Sequence, residues 1–271
     1  MDQTITFKKA PLVELIVEIR WPVQTIAAAG GLPIVGGQSA AFDLWFQRLT
    51  EDLRALGFHN LERLVPHGMF ILAHQPLYRY SRAGEQFPIV QFGHGILTVN
   101  AGPPSYQSWE AFRPQVEQAI AGLVNTRPVD EALAAFSFVA LRYIDRFDTD
   151  LRAGASNYAF IRDHLGITIG LPAGLIELAP DADRINPTLA LSLPIDGEDN
   201  ANLTFQIAAA RLGDRQTTDT VMDMTYAIAR AIPVATPEIL VCLDQAHTII
   251  HNWFDKLTIR IRERMEPVQP A

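Results

Sequence analysis

The sequence predicts an α+β protein made of two similar halves, each with the order strand, helix, antiparallel meander and helix. Two long segments with a strand pattern, residues 12–21 and 136–147, begin the halves, and an amphipathic helical pattern ends each half. Short β-type runs separated by turn residues lie between them and predict the meanders. The chain has 271 residues, of which 48% are hydrophobic and 19% charged, so it can build a substantial core.

The first half, residues 1–128, opens with alternating apolar and polar residues over 12–21, which is typical of a strand with one buried face. Apolar residues at helical spacing follow over 39–56, and Gly57 is placed to end that helix. A second helix is predicted over 106–123. Between the helices we expect a three-stranded meander, with strands at 69–73, 87–92 and 96–99.

The second half, residues 129–271, repeats the order with a strand at 136–147 and a short helix at 157–165. Four further strands are predicted at 175–178, 188–193, 203–212 and 221–228. The final helix is predicted from Thr236, as N-cap, to Met265, with Pro237 at its first position. Because the two halves are similar, we expect one compact unit with an internal duplication.

The favoured architecture is one continuous, curved antiparallel sheet with the helices on one side, similar in topology to the TATA-box-binding-protein type of fold. The alternative is a helix-grip arrangement, in which one sheet wraps around a long C-terminal helix. The two lead to different functions, because the second arrangement places a ligand cavity between sheet and helix.

Charge and cysteine content restrict the partners and the compartment. The net charge of -8 argues against a surface that binds nucleic acid by neutralising phosphates. Cys242 is the single cysteine, so no intrachain disulfide can form, which fits a cytoplasmic protein. Glu14 and Glu18 interrupt the first apolar run, so no signal peptide is predicted, and no uninterrupted apolar run is long enough for a membrane span.

Catalytic, metal and cofactor motifs are not recognised in the sequence, so whether the protein is an enzyme stays open. The nearest to a metal site is a stripe of four ligand-type residues on one side of the last helix, Asp244, His247, His251 and Asp255. The stripe lacks the glutamate of a zinc protease motif and lies beside the apolar face. It is therefore interpreted as a solvated flank, and no metal or cofactor is predicted.

The charged face of the central strands gives the candidate binding site. Glu14 and Glu18 of the first strand, and Arg142 and Arg146 of its counterpart, stand where a simple sandwich would have apolar residues. If the two strands pair, these four side chains lie close enough to form a network. The guanidiniums could then bind a carboxylate or phosphate of a ligand or partner, with the glutamates holding them in position. A solvated sheet face without a binding role is the alternative interpretation.

Four stretches of the sequence resemble a family. They are Lys9, Pro11, Leu12, Val13 and Glu14 through Glu18, Ile19 and Arg20; Tyr106, Trp109, Glu110 and Phe112; Leu141, Arg142, Tyr143, Ile144 and Arg146; and Leu243, Asp244, His247 and Phe254. In these residues the chain resembles a sporadically distributed bacterial family of proteins of about this length, largely of unknown function. At Asp145 it departs from the pattern, which more often has Asn. The resemblance implies a fold and an accessory or defence-associated gene, and no activity.

Two functional hypotheses follow. The first is a non-catalytic binding or regulatory protein that meets a protein partner, or a second copy of itself as a homodimer, through the polar sheet face or the sheet edges. The second is an enzyme or small-ligand-binding protein with a cavity between sheet and helices, lined by some of the aromatic residues. Those aromatic residues are Trp21, Trp45, Trp109, Tyr143 and Trp253.

Overall fold

The computed structural model describes residues 6–27, 33–36, 40–128, 135–170, 172, 181, 185–197, 200–210 and 218–268. Within these residues the strands are β1 Thr6–Phe7, β2 Leu12–Arg20, β3 Thr25–Ala27, β4 Pro33–Val35, β5 Asn60–Arg63, β6 Pro76–Ser81, β7 Ile89–Gly93, β8 Ile96–Ala101, β9 Phe138–Phe147, β10 Thr188–Pro194, β11 Ala201–Ala210, β12 Asp219–Ile228 and β13 Pro267–Val268. The α-helices are α1 Ala40–Ala55, α2 Trp109–Thr126, the short α3 Asn157–Ala159 and α4 Thr236–Thr258.

Nine strands form one antiparallel sheet in the order β10-β11-β12-β9-β2-β8-β7-β6-β5. The first long strands of the two halves, β2 and β9, pair at the centre, where Val17 lies opposite Leu141. In each half the first strand also pairs with the last strand of the meander, β2 with β8 and β9 with β12. The predicted α+β fold with a large antiparallel sheet is confirmed.

The meanders differ from the prediction in their strands. The first contains four strands instead of three. Strands β5 and β6 were not predicted, and the predicted strand at Met69–Ala73 is wrong. That apolar run is a loop in which Met69 and Phe70 are 62% and 78% exposed and Leu72 makes an isolated bridge to Ile34. In the second meander β10, β11 and β12 are confirmed, and the predicted strand at 175–178 lies outside the described residues.

The helices cover one face of the sheet, as predicted, and bury the core beneath them. Helix α2 contacts β8, and α4 contacts β9 and β12. Helix α1 is joined to α2 by the buried Trp45, whose Nε1 donates a hydrogen bond to the carbonyl oxygen of Leu123 at 3.1 Å. The ring of Trp45 also lies 5.1 Å from that of Trp21 at the end of β2. The side chains that alternate inward from β2 therefore form the centre of the core.

The opposite face of the sheet, called the open face here, is polar across several strands. The aligned positions Glu18, Thr98, Gln91, Arg79 and Glu62 form one row across β2, β8, β7, β6 and β5. The outermost described strands are β5 and β10, whose edges have no described strand beside them. The polar side of the first long strand, predicted from its alternation, is thus part of a polar face that extends over several strands.

The last helix begins one residue earlier than expected, since Ala235 is its N-cap and Thr236, the predicted N-cap, is its first residue. After Thr258 the chain continues as a 3₁₀ helix, Ile259–Met265, so the predicted end at Met265 is confirmed. Within the described residues, no helix has the length and apolar character needed to cross a membrane.

Candidate functional site

A cavity of about 490 Å³ lies between the helix-covered face of the sheet and α4. Its walls come from the N-terminal segment, the loop before α2, β9, β12 and α4. The described residues that line it are Thr6, Phe7, Ala10, Pro11, Leu12, Pro103, Tyr106, Gln107, Ser108, Trp109, Tyr143, Asp145, Met224, His247, Ile250, His251 and Phe254.

Strand alternation and helical spacing bring the polar side chains of the cavity together. Tyr143 and Asp145 are two residues apart in β9 and therefore project to the same face. On α4, His247 and His251 are four residues apart and therefore occupy the same side of the helix. The strand supplies one wall of the cavity and the helix supplies the facing wall.

Trp109 is held in place by contacts on its edge and on its ring face. Its Nε1 donates a hydrogen bond to Asp244 Oδ1 at 2.8 Å, and its ring stacks on His247 with the centroids 5.6 Å apart. Arg113 holds Asp244 in turn, because its Nε and Nη2 both donate to the carboxylate at 2.9 Å. This part of the wall is therefore positioned before any ligand arrives.

A chain of hydrogen bonds joins two phenols to an imidazole. The hydroxyl groups of Tyr106 and Tyr143 are 3.2 Å apart, and the Tyr143 hydroxyl is 2.9 Å from His247 Nδ1. Burial raises the pKa of Tyr143 well above its ordinary value of 10.0 and also raises the pKa of Tyr106. Burial, followed by the nearby His251, lowers the pKa of His247 to about 4. At neutral pH this chain is uncharged.

Asp145 is a buried carboxyl group on the cavity wall, with 3% of its surface exposed. Burial, followed by the charge of Asp223, raises its pKa from the ordinary 3.8 to about 7. No Lys or Arg occurs among the described residues that line the cavity, and none of the described residues forms a side-chain hydrogen bond with this carboxyl. Asp145, with its pKa at about 7, therefore changes its charge near neutral pH in a cavity whose described lining holds no other carboxyl and no Lys or Arg.

The four residues of the predicted binding site all lie on the open face, on the opposite side of the sheet from the cavity. Ile16 is paired with Arg142 and Ile144 with Glu14, so the central strands bring the charged side chains to one face as expected. The side-chain partners, however, differ from the expected glutamate–arginine pairs. Glu14 accepts a hydrogen bond from Asn100 Nδ2 at 2.7 Å, and Glu18 pairs with Arg20.

The arginines of this site bind aspartates of β12. Arg142 forms a bidentate pair with Asp223, with Nε 2.9 Å from Oδ1. Arg146 Nε lies 3.7 Å from Asp219 Oδ2. Each aspartate is the diagonal neighbour of its arginine across the β9–β12 ladder, a distance that long side chains reach. The predicted glutamate–arginine network is thus corrected to aspartate–arginine pairs. The hydrogen bond to Asp223 raises the pKa of Arg142, and the charges of Glu14 and Glu18 raise it further.

The four residues of the α4 stripe do not converge on one point. Asp244 binds Trp109 and Arg113, His247 contacts Tyr143, and His251 Nε2 lies 3.5 Å from Asp255 Oδ2. Among the described residues there is no group of three or more His, Cys, Asp or Glu that could hold a metal ion. The interpretation of the stripe as a solvated flank is wrong for His247 and His251, which line the cavity.

A cavity between sheet and helices is the feature of the second hypothesis, and two of its five aromatic residues, Trp109 and Tyr143, line this one. Reasoning from charge patterns missed Asp145 as part of it. One further sequence signal points to the cavity. All four stretches that carry the family resemblance contribute to its lining: Pro11 and Leu12, Tyr106 and Trp109, Tyr143, and His247 and Phe254. No protein-family model, curated protein or solved structure matches the chain. The chemistry of the cavity therefore has to be worked out from its own residues, which offer aromatic surface, neutral hydrogen-bonding groups and one ionisable carboxyl.

Proposed function

We propose that the protein binds a small organic molecule in the cavity between the sheet and α4. The observation that carries this proposal is Asp145, a buried carboxyl with no side-chain hydrogen bond from any described residue. A polar group taken out of water without a partner costs free energy, and such groups with perturbed pKa values concentrate at functional sites. A ligand that bonds to this carboxyl would offset that cost.

The size and lining of the cavity support the same proposal. Pockets that bind small molecules typically enclose about 300–1,000 Å³ and combine apolar or aromatic walls with a few polar groups. Here a volume of about 490 Å³ is enclosed mainly by aromatic and aliphatic side chains. The fixed position of Trp109 means that little side-chain freedom is lost when a ligand binds, which favours affinity.

The open face is a weaker candidate than the cavity. The guanidinium of Arg142 is already paired with Asp223, and that of Arg146 lies beside Asp219. An anionic group of a partner would have to displace these aspartates before it could bind. Recognition of a protein partner through this face, or self-association through the edges of β5 and β10, stays a prediction.

Native mass spectrometry tests the proposal with two matched variants. Ala10 is an exposed residue on the cavity lining, so Ala10→Trp should fill the cavity from its rim without disturbing the core. Ala190→Trp makes the same change at an exposed position of β10 on the open face and is the control. Each protein is incubated with a small-molecule extract of the source cells before measurement.

We expect the wild-type protein and the Ala190→Trp variant to retain a small molecule at one per chain, and the Ala10→Trp variant to lose it. The proposal is contradicted if no small molecule binds to the wild-type protein, or if all three proteins retain the same molecule.

A further inference from the structure

We infer that the ligand carries a positively charged nitrogen, such as an ammonium, an amidinium or a protonated heterocycle, that pairs with the carboxylate of Asp145. This inference rests on the proposed binding of a small molecule in the cavity, and it adds the chemical class of that molecule.

The charges of the cavity lining are the first reason. Among the described lining residues Asp145 is the single Asp, Glu, Lys or Arg. An anionic ligand would place a second negative charge next to a buried carboxyl without a lining Lys or Arg to balance it, which is strongly unfavourable at low dielectric. A cation is the ligand that would turn the desolvated carboxylate into a compensated ion pair.

The aromatic walls are the second reason. Tyr106, Trp109 and Phe254 line the same cavity as Asp145, and the ring of Phe7 lies 6.5 Å from that of Phe254. The faces of such rings attract cations, and this attraction is larger in sites from which water is excluded. An organic cation is therefore matched to the carboxylate and to the apolar lining at once.

The neutral polar groups are the third reason. Tyr106 and Tyr143 keep their protons and His247 stays neutral at physiological pH, because burial disfavours their charged forms. Phenolic oxygens and a neutral imidazole nitrogen can accept hydrogen bonds from the N–H groups of a ligand. The net charge of -8 also favours the approach of cations over that of anions.

The experiment compares matched ligands that differ in charge. A panel of aromatic and aliphatic scaffolds is prepared in which every scaffold is present as a primary amine, an alcohol and a carboxylate. Phenethylamine, phenethyl alcohol and hydrocinnamate form one such set. Dissociation constants are measured by calorimetry and ligand-detected NMR for the wild-type protein and for the variants Asp145→Asn, Ala10→Trp and Ala190→Trp.

We expect the amines to bind the wild-type protein at least about tenfold more tightly than the matched alcohols, because only the amine forms an ion pair with the buried carboxylate of Asp145. Asp145→Asn should remove this advantage and leave the affinity of the alcohols within about twofold of the wild-type value. The inference is overturned if alcohols or carboxylates bind as tightly as the amines, or if the amines keep their advantage in Asp145→Asn.

The proposed function fails in a different way. It is contradicted if the wild-type protein binds neither a member of the panel nor a molecule of the cell extract, or if Ala10→Trp binds the panel as tightly as the wild type and Ala190→Trp do. Weak binding of amines to Asp145→Asn together with unchanged binding of alcohols cannot arise from loss of the cavity. The two failures are therefore distinguishable.

The affinity for amines should also depend on pH, because binding requires the ionised carboxylate. With the pKa of Asp145 at about 7 in the free protein, affinity should rise from about pH 6 to about pH 8. The groups around Asp145 are Tyr143 on its own strand, Tyr106, Asp223 of β12, and His247 and His251 of α4. Asp196→Asn, which removes an exposed carboxyl outside the described cavity lining, is the control and should keep the rise, and the inference is contradicted if Asp145→Asn keeps it as well.

Discussion

Replacing Asp145 by asparagine should stabilise the ligand-free protein at high pH. The carboxyl is 3% exposed, and burial holds its pKa at about 7 in the folded protein, above the ordinary 3.8. Asparagine has nearly the same shape and carries no charge. The substitution therefore removes the cost of a buried carboxylate and keeps a polar group of similar size.

The sign and size of the effect follow from proton linkage. An acid whose pKa is raised on folding retains its proton in the folded state at pH values where the unfolded chain has lost it. Stability therefore falls as pH rises from about 4 to about 7 and stays low above that range. Between a folded value of about 7 and an ordinary value of 3.8, the cost of ionisation reaches about 4 kcal/mol.

Urea unfolding over a series of pH values measures this difference. The free energy of unfolding is determined at about pH 4 to about pH 8 for the wild-type protein and for Asp145→Asn, both freed of bound small molecules. Subtracting the two curves removes the contributions of the other titrating groups that the substitution leaves unchanged. Asp196→Asn, which removes an exposed carboxyl in the turn after β10, is the matched control.

The free energy of unfolding of Asp145→Asn should match that of the wild type near pH 4 and exceed it by up to about 4 kcal/mol near pH 8. The control should show no comparable rise. A difference that does not change with pH would refute the reasoning, as would a variant less stable than the wild type at pH 8. The first result would mean that folding does not raise the pKa of Asp145, and the second that the carboxylate is stabilised in the folded protein without a ligand.

Three further predictions concern the core, the open face and nucleic acid. Trp45→Ala, at a buried position, should lower the free energy of unfolding by about 3–5 kcal/mol. Trp253→Ala, at a partly buried position, should lower it by about 1–2 kcal/mol. Equal losses in urea unfolding would contradict this. Arg142→Ala removes the positive charge that balances Asp223, so the negative charge of Asp223 should raise the pKa of Asp145 further. The midpoint of the pH-dependent change in the free energy of unfolding should then lie at a higher pH. An unchanged midpoint would show that Asp223 does not act on Asp145. Random-sequence DNA should not be retained at about 150 mM salt, and salt-sensitive retention in a filter-binding assay would refute this.

The central part of the fold was predictable because periodicity is strong there. Alternation in Leu12–Arg20 and the run of Phe138–Phe147 identified the two strands that pair at the centre of the sheet. The outer strands of the sheet were harder to predict from the sequence. Asn60–Arg63 is a short, mostly exposed edge strand with two charged residues, and Pro76–Ser81 begins with proline, so neither has the apolar signal on which the prediction depends. The apolar run from Met69 was misassigned because hydrophobicity alone does not distinguish an exposed loop from a strand.

A cavity between sheet and helices was one of two alternatives, but its polar groups were not predictable from local patterns, because they depend on which elements meet. Asp145 follows Tyr143 in a strand of ordinary appearance, and its unusual pKa arises only when α4 and the N-terminal segment close over it. The charged open face was predicted correctly as a face, yet its ion pairs were not. The partner of Arg142 is Asp223 in β12, and the sequence alone gave no register between these strands.

The most direct test of ligand binding in the cavity is a methyl NMR titration of the labelled protein with the small-molecule extract of the source cells. Met224 and Ile250 report on the cavity, whereas Ile16 and Ile144 lie on the open face. Ligand binding in the cavity should shift the signals of Met224 and Ile250 and leave those of Ile16 and Ile144 in place. Shifts confined to Ile16 and Ile144 would contradict the proposed function and favour recognition through the open face.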